Sequence, residues 1–494
     1  MDMSPDACYR AITTRDARFD GRLFVGVRTT GIYCRPVCPA RTPKRQNVTF
    51  HPSAASAQEA GYRPCLRCRP ETSPDLAAWR GTSNTVSRAL ALIETGALDE
   101  DDVDSLAGRL GVGERHLRRL FRQHLGASPV AVAQTRRVLL AKQLIHQTRL
   151  PMTEVALASG FGSLRRFNET FQQLYDRPPS ALRRGAGVVE TAGGAGAVRL
   201  LLPYRPPYDW DALIRFLAMR AIPGIEVVTP HRYARTIGLG GQSGILTVEP
   251  AASDRLRATI RFPRLEALPT IIARIRSVFD LAADPAAIAA QLCADPVLAP
   301  MVAARPGLRV PGAWDGFELA VRAILGQQIT VVAATKLAGR IVEAWGEPLP
   351  ETLSGSVKGL SHVFPTPAVL ANADIAALGM PRTRGAALNG LAGAVRDDPK
   401  LFDPQRGLDE AIAQLKGLAG IGEWTAQYIA MRQLREPDAF PAADVGLMRA
   451  LAQPDGARPT PAELLDRAER WRPWRAYAAL HLWTSLSDKH GAIA

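Results

Sequence analysis

The chain has 494 residues, of which 47% are hydrophobic and 22% are charged. One hydrophobic core rarely serves more than about 250–300 residues, so this length predicts several domains. The formal net charge of +14 favours nucleic acid or anionic lipid as a partner. The sequence contains no apolar run of about 18 residues, so it predicts no membrane span. The N-terminus also lacks the basic segment followed by an apolar segment that marks a secretion signal. We therefore expect a cytoplasmic, nucleoid-associated protein.

Four of the six cysteines fall into two close pairs, Cys34-x3-Cys38 and Cys65-x2-Cys68. Pairs of this spacing are typical of a tetrahedral zinc site, because each pair supplies two thiolates from one turn. The stretch 28–69 holds eight Lys or Arg residues and one acid, which predicts contact with phosphate. The spacing alone is compatible with a purely structural zinc ion. The basic surroundings leave open a chemical role for the metal centre as well.

The next region of the chain, residues 84–184, contains the same helical pattern twice. A short helix that ends at glycine precedes a basic helix over 114–124, and a similar pair follows over 153–160 and 164–171. A helix, a tight glycine-containing turn and a second helix form the helix-turn-helix pattern. A long helix over 129–147 joins the two pairs. The pattern alone also fits an ordinary helical bundle.

Composition separates the rest of the chain into three segments. Residues 185–197 are almost entirely Gly, Ala and Val, and predict a flexible linker. Residues 198–305 alternate strand-like and helical patterns and predict a mixed α/β domain. Residues 306–494 are rich in alanine and leucine with Gly and Pro breaks, which indicates a helical domain.

The cysteine segments, Thr29–Cys38 and Arg63–Cys68, resemble the N-terminal methyl-acceptor domain of the Ada family. The resemblance covers about residues 5–72, and the predicted domain spans 1–75. The resemblance implies one zinc ion held by the four cysteines, with Cys34 also accepting a methyl group, once and irreversibly, from a DNA methylphosphotriester. It further implies DNA contacts for three residues, Thr30, Arg41 and Arg63. Pro39 replaces a basic residue of that family, which puts one phosphate contact in doubt.

The charge of such a centre has a consequence for DNA binding. A zinc-bound thiolate stays deprotonated and nucleophilic at neutral pH. Four thiolates on Zn²⁺ carry a formal charge of about −2, and methylation of one sulfur leaves about −1. The weaker repulsion of DNA phosphate predicts tighter binding after methyl transfer.

The predicted domain 84–184 resembles the DNA-binding domain of the AraC/XylS regulators over about residues 86–184, on the motif residues within 159–180. The resemblance implies recognition helices near 112–124 and 163–175 that enter the major groove of DNA. Three arginines of the first recognition helix are candidate DNA contacts: Arg115, Arg118 and Arg119. A regulator of this type also implies RNA polymerase as a partner.

The helical C-terminal region contains the sequence Leu415-Lys-Gly-Leu-Ala-Gly-Ile-Gly-Glu-Trp-Thr-Ala426, with Gly420 and Gly422 in a helix-hairpin-helix turn. Glycines let the backbone approach a phosphate, and the amides of the following helix can bind it. Asp444 follows Trp424 by twenty residues. Its position before an apolar stretch predicts, on its own, a helix N-cap.

Residues 198–488 resemble the helix-hairpin-helix glycosylases of the AlkA type. The resemblance makes Asp444 the catalytic residue for hydrolysis of the N-glycosidic bond of an alkylated purine such as 3-methyladenine. The resemblance also implies DNA contacts for Gln327 and Gln328. Gln328 stands where that family has an apolar residue that inserts into the gap in the duplex. Trp424 replaces the lysine nucleophile of bifunctional relatives, which implies base release without strand cleavage. Four aromatic residues are candidates for the base pocket, each with core packing as the alternative: Phe216, Trp424, Tyr428 and Trp483.

Together these patterns predict a multidomain α+β protein. Its expected domains are a small four-cysteine zinc α/β domain, an all-α double helix-turn-helix domain, a mixed α/β domain and an all-α helix-hairpin-helix glycosylase domain. We expect an alkylation-response protein that senses alkylated DNA, activates response genes and excises alkylated bases. We expect it to act on double-stranded DNA as a monomer and to bind a second cation at the hairpin. The alternative is a DNA-binding regulator with a structural zinc and an inactive glycosylase fold. The Ada family usually also has a methyltransferase domain with a Pro-Cys-His-Arg active-site motif. This sequence has no such motif, so by that resemblance we expect no repair of O6-methylguanine.

Overall fold

The computed structural model describes residues 4–74, 85–99, 101–183, 197–404, 407–453 and 455–491, with side chains up to residue 486. The chain divides into two compact units. The first comprises residues 1–80, 84–204 and 264–273, and the second comprises the remaining segments. The predicted linker, 185–197, lies outside the described residues except for its last position.

The N-terminal portion of the first unit is a four-stranded sheet with two helices. Its elements are α1 (Pro5–Thr13), β1 (Phe24–Val27), β2 (Ile32–Cys34), β3 (Val48–His51), α2 (Ala54–Glu59) and β4 (Arg63–Pro64). The strand order is β3-β1-β2-β4, with β1 antiparallel to both neighbours and β2 parallel to β4. Cys8 and Ile12 of α1 pack against Leu23, Val25 and Val48 in the core.

The helical portion of the first unit contains both predicted helix-turn-helix pairs. Its elements are α3 (Thr85–Glu94), α4 (Val103–Arg109), α5 (Glu114–Leu125), α6 (Pro129–Gln147), α7 (Met152–Ala158), α8 (Leu164–Tyr175) and the strand β5 (Ala197–Pro203). Asp102 caps α4, and Ser163 caps α8, by accepting a backbone N–H of the first turn. The face of α5 formed by Leu117, Phe121 and Leu125 is fully buried, so its arginines face outward.

The second unit begins with a helix and an antiparallel meander. Its first elements are α9 (Trp210–Ala218), β6 (Glu226–Thr229), β7 (Arg232–Leu239), β8 (Gln242–Ala251) and β9 (Arg255–Arg261). Strands β6 to β9 pair consecutively, each antiparallel to the next. The helix α10 (Leu268–Val278) follows in the chain, with residues 268–273 counted in the first unit and the rest in the second. This region has the mixed α/β character that the sequence predicts.

The rest of the second unit is helical apart from one short strand pair. Its elements are α11 (Pro285–Leu292), α12 (Leu298–Ala304), α13 (Gly316–Leu325), α14 (Val331–Trp345), β10 (Glu347–Pro348), β11 (His362–Val363), α15 (Pro367–Leu370), α16 (Arg382–Asp397), α17 (Leu408–Lys416), α18 (Glu423–Arg432), α19 (Val445–Ala450), α20 (Pro461–Ala468) and α21 (Arg475–Gly491). Trp471 and Trp474 are buried core residues. Within the described residues, no helix is both long and apolar enough to cross a bilayer.

Candidate metal centre and candidate active site

The four clustered cysteines meet because two strands lie side by side. Cys34 ends β2, and Cys65 follows β4, which pairs with β2 in parallel register. The backbone N–H of Cys65 donates to the carbonyl oxygen of Tyr33 at 3.0 Å. The sulfurs of all four cysteines lie within 4.8 Å of one another. Tetrahedral zinc–thiolate sites have sulfur–sulfur separations of about 3.8 Å, so the donor set fits a zinc ion.

Exposure divides the four cysteines into two classes. Cys65 and Cys68 are buried, whereas Cys34 and Cys38 are only half-buried. Backbone N–H groups donate to the two buried sulfurs, from Arg35 to Cys68 at 3.4 Å and from Arg67 to Cys65 at 3.3 Å. Such donors complement thiolate charge and orient the ligand loops. The arrangement leaves the first pair as the sulfurs that a substrate can approach.

Two cations flank the ligand loops, the half-buried Arg35 and the fully buried Lys142. Arg35 donates from Nε to Asp20 at 2.8 Å and from Nη1 to Thr72 Oγ1 and the carbonyl oxygen of Cys68. On α6, the ammonium of Lys142 donates to the carbonyl oxygen of Cys65 at 3.0 Å. Sequence patterns missed Lys142, because a lone lysine in a helix is normally a solvent-facing residue. Its only sequence signal is its place among the apolar residues of α6.

Glu71 lies opposite Lys142. Their charged groups are 2.8 Å apart, and both side chains are almost fully excluded from solvent. Burial opposes the charge of Glu71, but attraction to Lys142 outweighs it and lowers the pKa of the carboxyl below its ordinary value. The cysteine cluster therefore lies next to a charged pair, Lys142 and Glu71, that is excluded from solvent.

The predicted DNA contacts of the first unit lie mostly at its surface. Thr30 and Arg41 are exposed, Arg63 is half-buried, and Pro39 is exposed beside the cysteine loop. Three arginines of α5 are also exposed: Arg115, Arg118 and Arg119. Arg118 pairs with Glu114 one turn earlier, and Arg119 contacts His116. These residues are accessible to a ligand.

The second unit contains a cavity of about 1150 Å³. It is bounded by residues of α9, α13, α14, α18 and α21. The cavity wall includes all four predicted pocket aromatics and the predicted catalytic acid: Phe216, Trp424, Tyr428, Trp483 and Asp444. Residues that are far apart in the sequence thus converge at one concave site, which is the usual form of a small-ligand pocket.

Asp444 is held by three hydrogen bonds. Its Oδ1 accepts the indole N–H of Trp483 at 2.8 Å and the backbone N–H of Leu447 at 2.9 Å, and its Oδ2 accepts the indole N–H of Trp424 at 2.8 Å. The bond to Leu447 makes Asp444 the N-cap of α19, so the predicted cap is confirmed. The two indole bonds were not anticipated from the sequence.

The residue that follows the carboxylate by two positions, Gly446, keeps this arrangement open. A Cβ atom there would lie 2.8 Å from Asp444 Oδ1 and 3.2 Å from Trp483 Cδ1. Any side chain at this position would push the carboxylate or the indole away. The close approach of backbone, carboxylate and ring therefore requires glycine.

Arginines occupy the far side of the aromatic cluster. Trp424 and Tyr428 stack with ring centroids 5.1 Å apart, and Arg432 donates to the Tyr428 hydroxyl at 2.6 Å. The guanidinium carbon of Arg220 lies 3.8 Å from the centroid of Phe216, and that of Arg432 lies 4.9 Å away. Sequence analysis missed both arginines. They engage a face of the Phe216 ring that was expected to be available to a ligand.

Burial alone would raise the pKa of the Tyr428 hydroxyl. The charges of Arg432 and Arg220 outweigh burial and lower this pKa below its ordinary value. The inner end of the cavity is therefore a cationic hydrogen-bonding surface, whereas Trp424 and Trp483 flank the carboxylate.

The hairpin between α17 and α18 lies close to the turn between α13 and α14. Gln327 donates to the carbonyl oxygen of Gly420 at 2.8 Å and to Thr425 Oγ1 at 3.1 Å. Gly420 has φ +81°, and a Cβ there would lie 2.6 Å from Ala387 Cβ, so glycine is needed for both conformation and packing. Gly422 precedes α18 and has open space at its Cα, which leaves the first backbone amides of the helix approachable.

Gln328 forms the tip of the turn beside this hairpin. It is exposed and adopts a left-handed conformation, with φ +60°. Arg384 braces the turn by donating to the carbonyl oxygen of Gln327 at 2.7 Å. Ile329 and Val331, just after the tip, line the cavity. The structure thus presents Gln328 outward at the edge of the cavity, on a fixed turn.

Four family profiles match successive regions of the chain. They are the metal binding domain of Ada at residues 7–71, a helix-turn-helix domain at 106–185, the AlkA N-terminal domain at 199–315, and the HhH-GPD superfamily of base excision DNA repair proteins at 321–476. These matches bear out the predicted fold class and the predicted combination of family types.

Similar proteins and structures agree with this order. A probable bifunctional transcriptional activator/DNA repair enzyme AlkA of Mycobacterium tuberculosis is 44% identical, over 97% of this chain and 96% of its own. DNA-3-methyladenine glycosylase 2 of Escherichia coli is 37% identical, over 57% of this chain and 95% of its own. A 3-methyladenine DNA-glycosylase structure from Archaeoglobus fulgidus shares the fold of the C-terminal region, with TM-score 0.50, 23% identity, and coverage of 57% of this chain and 96% of its own. The chain therefore belongs to the family of AlkA-type bifunctional transcriptional activator/DNA repair enzymes, in which an Ada-type zinc domain, a helix-turn-helix domain and a helix-hairpin-helix glycosylase fold are joined.

Proposed function

We propose that this protein removes alkylated purines such as 3-methyladenine from double-stranded DNA, and accepts a methyl group from DNA methylphosphotriesters on Cys34 to activate alkylation-response genes. The observation that carries the repair activity is Asp444, fixed by two indole donors at the wall of a cavity of about 1150 Å³. A cavity of this size admits a flipped purine nucleotide, at an unstacking cost of a few kcal/mol.

Within the cavity, Asp444 stabilises positive charge on the sugar as the N-glycosidic bond breaks, or orients the attacking water. Its indole partners are neutral, so its negative charge is not cancelled by a neighbouring cation. Trp424 and Trp483 flank the base. An alkylated purine that carries positive charge gains about 0.5–2 kcal/mol from contact with such a ring.

The site has no lysine at the position of a Schiff-base nucleophile, because Trp424 stands there and bonds to the carboxylate. We therefore propose a monofunctional glycosylase, whose product is an abasic site in an uncut strand. The exposed Gln328 enters the space left by the flipped nucleotide, and the hairpin at Gly420 and Gly422 holds a backbone phosphate. A cation at this hairpin stays a prediction.

Release of 3-methyladenine from methylated duplex DNA tests the repair activity. Asp444→Asn keeps the shape of the side chain and should lower the rate by about 10²–10³-fold, as expected for loss of a preorganised charge. The matched control is Asp466→Asn, which removes an exposed carboxylate on α20 and should not change the rate. Equal rates for wild type and Asp444→Asn would contradict the proposal, as would strand nicking by wild type before any treatment with base.

For methyl transfer, the half-buried thiolate of Cys34 attacks the methyl carbon of the phosphotriester. A carbon–sulfur bond forms, the carbon–oxygen bond breaks, and the phosphodiester leaves as an anion. Zinc supplies the charge that keeps the four thiolates deprotonated when it is bound. Cys38, Cys65 and Cys68 hold the site, and Thr30, Arg41 and Arg63 contact the DNA backbone. Mono-methylated Cys34 is stable, so each molecule reacts once.

Peptide mass spectrometry after incubation with methylated DNA tests this step. We expect one added methyl group on the Cys34 peptide and none in Cys34→Ala. Cys293→Ala is the matched control, since it removes an exposed cysteine outside the cluster and should leave methyl uptake intact. Unmodified Cys34 in wild-type protein would eliminate the sensor function and leave a structural zinc.

We propose that the two helix-turn-helix pairs read promoter DNA through α5 and α8, with Arg115, Arg118 and Arg119 as contacts of the first pair. Methyl transfer lowers the negative charge of the metal centre and so strengthens this binding. Activation would then proceed by recruitment of RNA polymerase, with the protein acting as a monomer. The Ada-type and helix-turn-helix family matches support this role.

A further inference from the structure

The long helix α6 carries a fully buried cation. Lys142 has no solvent-exposed side-chain surface, and its ammonium lies 2.8 Å from the carboxylate of Glu71, which is 1% exposed. The same ammonium donates to the carbonyl oxygen of Cys65 at 3.0 Å. Cys65 is one of the four predicted zinc ligands. A charge from the regulatory domain therefore lies against the backbone of the metal centre.

Stability alone does not account for this pair. Removing two charges from water costs several kcal/mol per ion, and apolar residues of similar volume are often neutral or stabilising replacements. Buried ion pairs that persist have their best-attested role in fixing one arrangement of two elements. The pair here joins Glu71, three residues after Cys68, to the helix that spaces the two helix-turn-helix pairs.

Further contacts join α6 and the metal-binding domain into a single assembly. Thr135 of α6 donates to Gln58 at 2.6 Å, and Ser128, the cap of α6, donates to Glu59 at 2.7 Å. Glu59 also pairs with Arg122 of α5. All these partners are polar or charged, so the junction depends on electrostatics and on direction, rather than on apolar contact alone.

We propose that Lys142 is the positioning residue through which the helix-turn-helix domain responds to the charge of the cysteine cluster. The proposal rests on methyl acceptance by Cys34. The unmethylated centre carries the larger negative charge and attracts Lys142 towards the Cys65 loop. Methylation removes one negative charge, so the ammonium of Lys142 is attracted less to the Cys65 loop and relatively more to Glu71. This change alters the position of α6 against the metal-binding domain. A share of the gain in DNA affinity therefore depends on Lys142, in addition to the reduced repulsion of DNA phosphate.

A ratio of DNA affinities separates the contribution of Lys142 from the contribution of reduced phosphate repulsion. Reduced repulsion acts on DNA directly and does not need Lys142. The quantity to compare is the affinity of methylated protein for one unmethylated DNA duplex, divided by the affinity of unmethylated protein for the same duplex at the same salt concentration. A mutation that weakens DNA binding equally in both states leaves this ratio unchanged, whereas loss of coupling lowers it.

The test uses full-length protein with Lys142→Met, and fluorescence anisotropy for the affinities. Mass spectrometry measures methylation of Cys34 and metal analysis measures zinc in every sample. We expect full methylation and zinc content, with the affinity ratio reduced about fivefold or more, the lower end of typical coupling. Lys142→Arg, which retains the charge, should restore most of the ratio. Lys44→Met, an exposed lysine of the same unit, should leave it unchanged.

A second variant covers the case in which Lys142→Met fails to fold because Glu71 keeps, among the described residues, only Arg69 as a charged partner. The double change Lys142→Met with Glu71→Gln removes both charges and should fold, with the same reduced ratio. A wild-type ratio in a methylated, zinc-containing variant without Lys142 overturns the inference and leaves methyl acceptance intact. Absence of methyl on Cys34 in the wild type overturns the proposed sensor function, and this inference with it.

Discussion

The candidate metal centre and the cavity both contain anionic groups, but the partners of these groups differ between the two regions. The cysteine cluster lies among full charges, with Lys142 paired to Glu71 and Arg35 paired to Asp20. Asp444 is held by two neutral indoles and one backbone amide.

Neutral donors orient a carboxylate without cancelling its charge, so the charge stays available to a cationic transition state. Buried ion pairs instead link the charge of a centre to the position of its neighbours. Neutral donors, as around Asp444, suit a site that turns over repeatedly. Buried ion pairs, as around the cysteine cluster, suit a site where a single reaction changes the position of neighbouring elements.

Removal of zinc should separate the two regions most strongly. Structural zinc contributes about 10 kcal/mol or more to the folded state of small domains, so a chelator should unfold the region around β1 to β4. Hydrogen exchange of residues 22–68 should rise, while release of 3-methyladenine by the second unit should persist. Re-addition of zinc is the control. A parallel loss of base release would show that the two regions depend on each other.

Acid should act on the second unit through His481. Burial lowers the pKa of this residue to about 4, against an ordinary value near 6.5. The unfolded chain then binds the proton more tightly than the folded chain, so stability is complete above about pH 6.5 and falls towards pH 4. The loss can reach about 3 kcal/mol of unfolding free energy.

Urea unfolding at pH 7 and pH 4.5, followed by tryptophan fluorescence, measures this effect. Seven of the eight tryptophans belong to the second unit, so the signal reports mainly on that unit. His481→Leu should show a smaller loss between the two pH values than wild type. Identical losses in the two proteins would rule out His481 as the cause.

The indole donors can be removed without removing an aromatic ring. Trp424→Phe and Trp483→Phe each delete one hydrogen bond to Asp444, and such bonds to charged groups contribute about 1.5–3 kcal/mol. We expect the rate of base release to fall about tenfold to hundredfold. Trp210→Phe removes an indole bond to the carbonyl oxygen of Pro230, elsewhere in the unit, and should have little effect. If the pocket variants match this control, Asp444 does not need its indole partners.

The smallest expected effect concerns the turn tip. Gln328→Ala removes an exposed side chain and should lower base release from duplex DNA only a few-fold, because filling the gap offsets some of a flipping cost of a few kcal/mol. Release from single-stranded DNA needs no such filling and serves as the internal control. Equal effects on both substrates would show that Gln328 does not act in the duplex.

The two sites also differ in how far the sequence could predict them. The cysteine ligands were identifiable because their spacing is local and follows from coordination geometry. The helix-turn-helix pairs were identifiable from glycine position and helical periodicity, and α5 differs from its predicted bounds by one residue. The pocket aromatics required a family resemblance, since no local pattern relates Phe216 to Trp483.

What the sequence did not show are the contacts between distant residues. The indole bonds of Asp444, the Arg220 and Arg432 cluster, and the Lys142–Glu71 pair all join positions that periodicity treats as independent. Lys142 and Glu71 are 71 residues apart in the chain, and their meeting depends on how α6 packs against the metal-binding domain. Such pairings follow from tertiary structure, because a charge alone does not specify its partner.

Measuring free 3-methyladenine and methylated Cys34 in a single reaction tests most directly whether one chain both senses and repairs alkylated DNA. Full-length protein and methylated duplex DNA are incubated together, and mass spectrometry measures free 3-methyladenine and methyl on Cys34. We predict both products for wild type, only free base for Cys34→Ala, and only methylated Cys34 for Asp444→Asn. Wild-type protein that lacks either product, or Asp444→Asn protein that releases base at the wild-type rate, would contradict the claim that one chain both senses and repairs alkylated DNA.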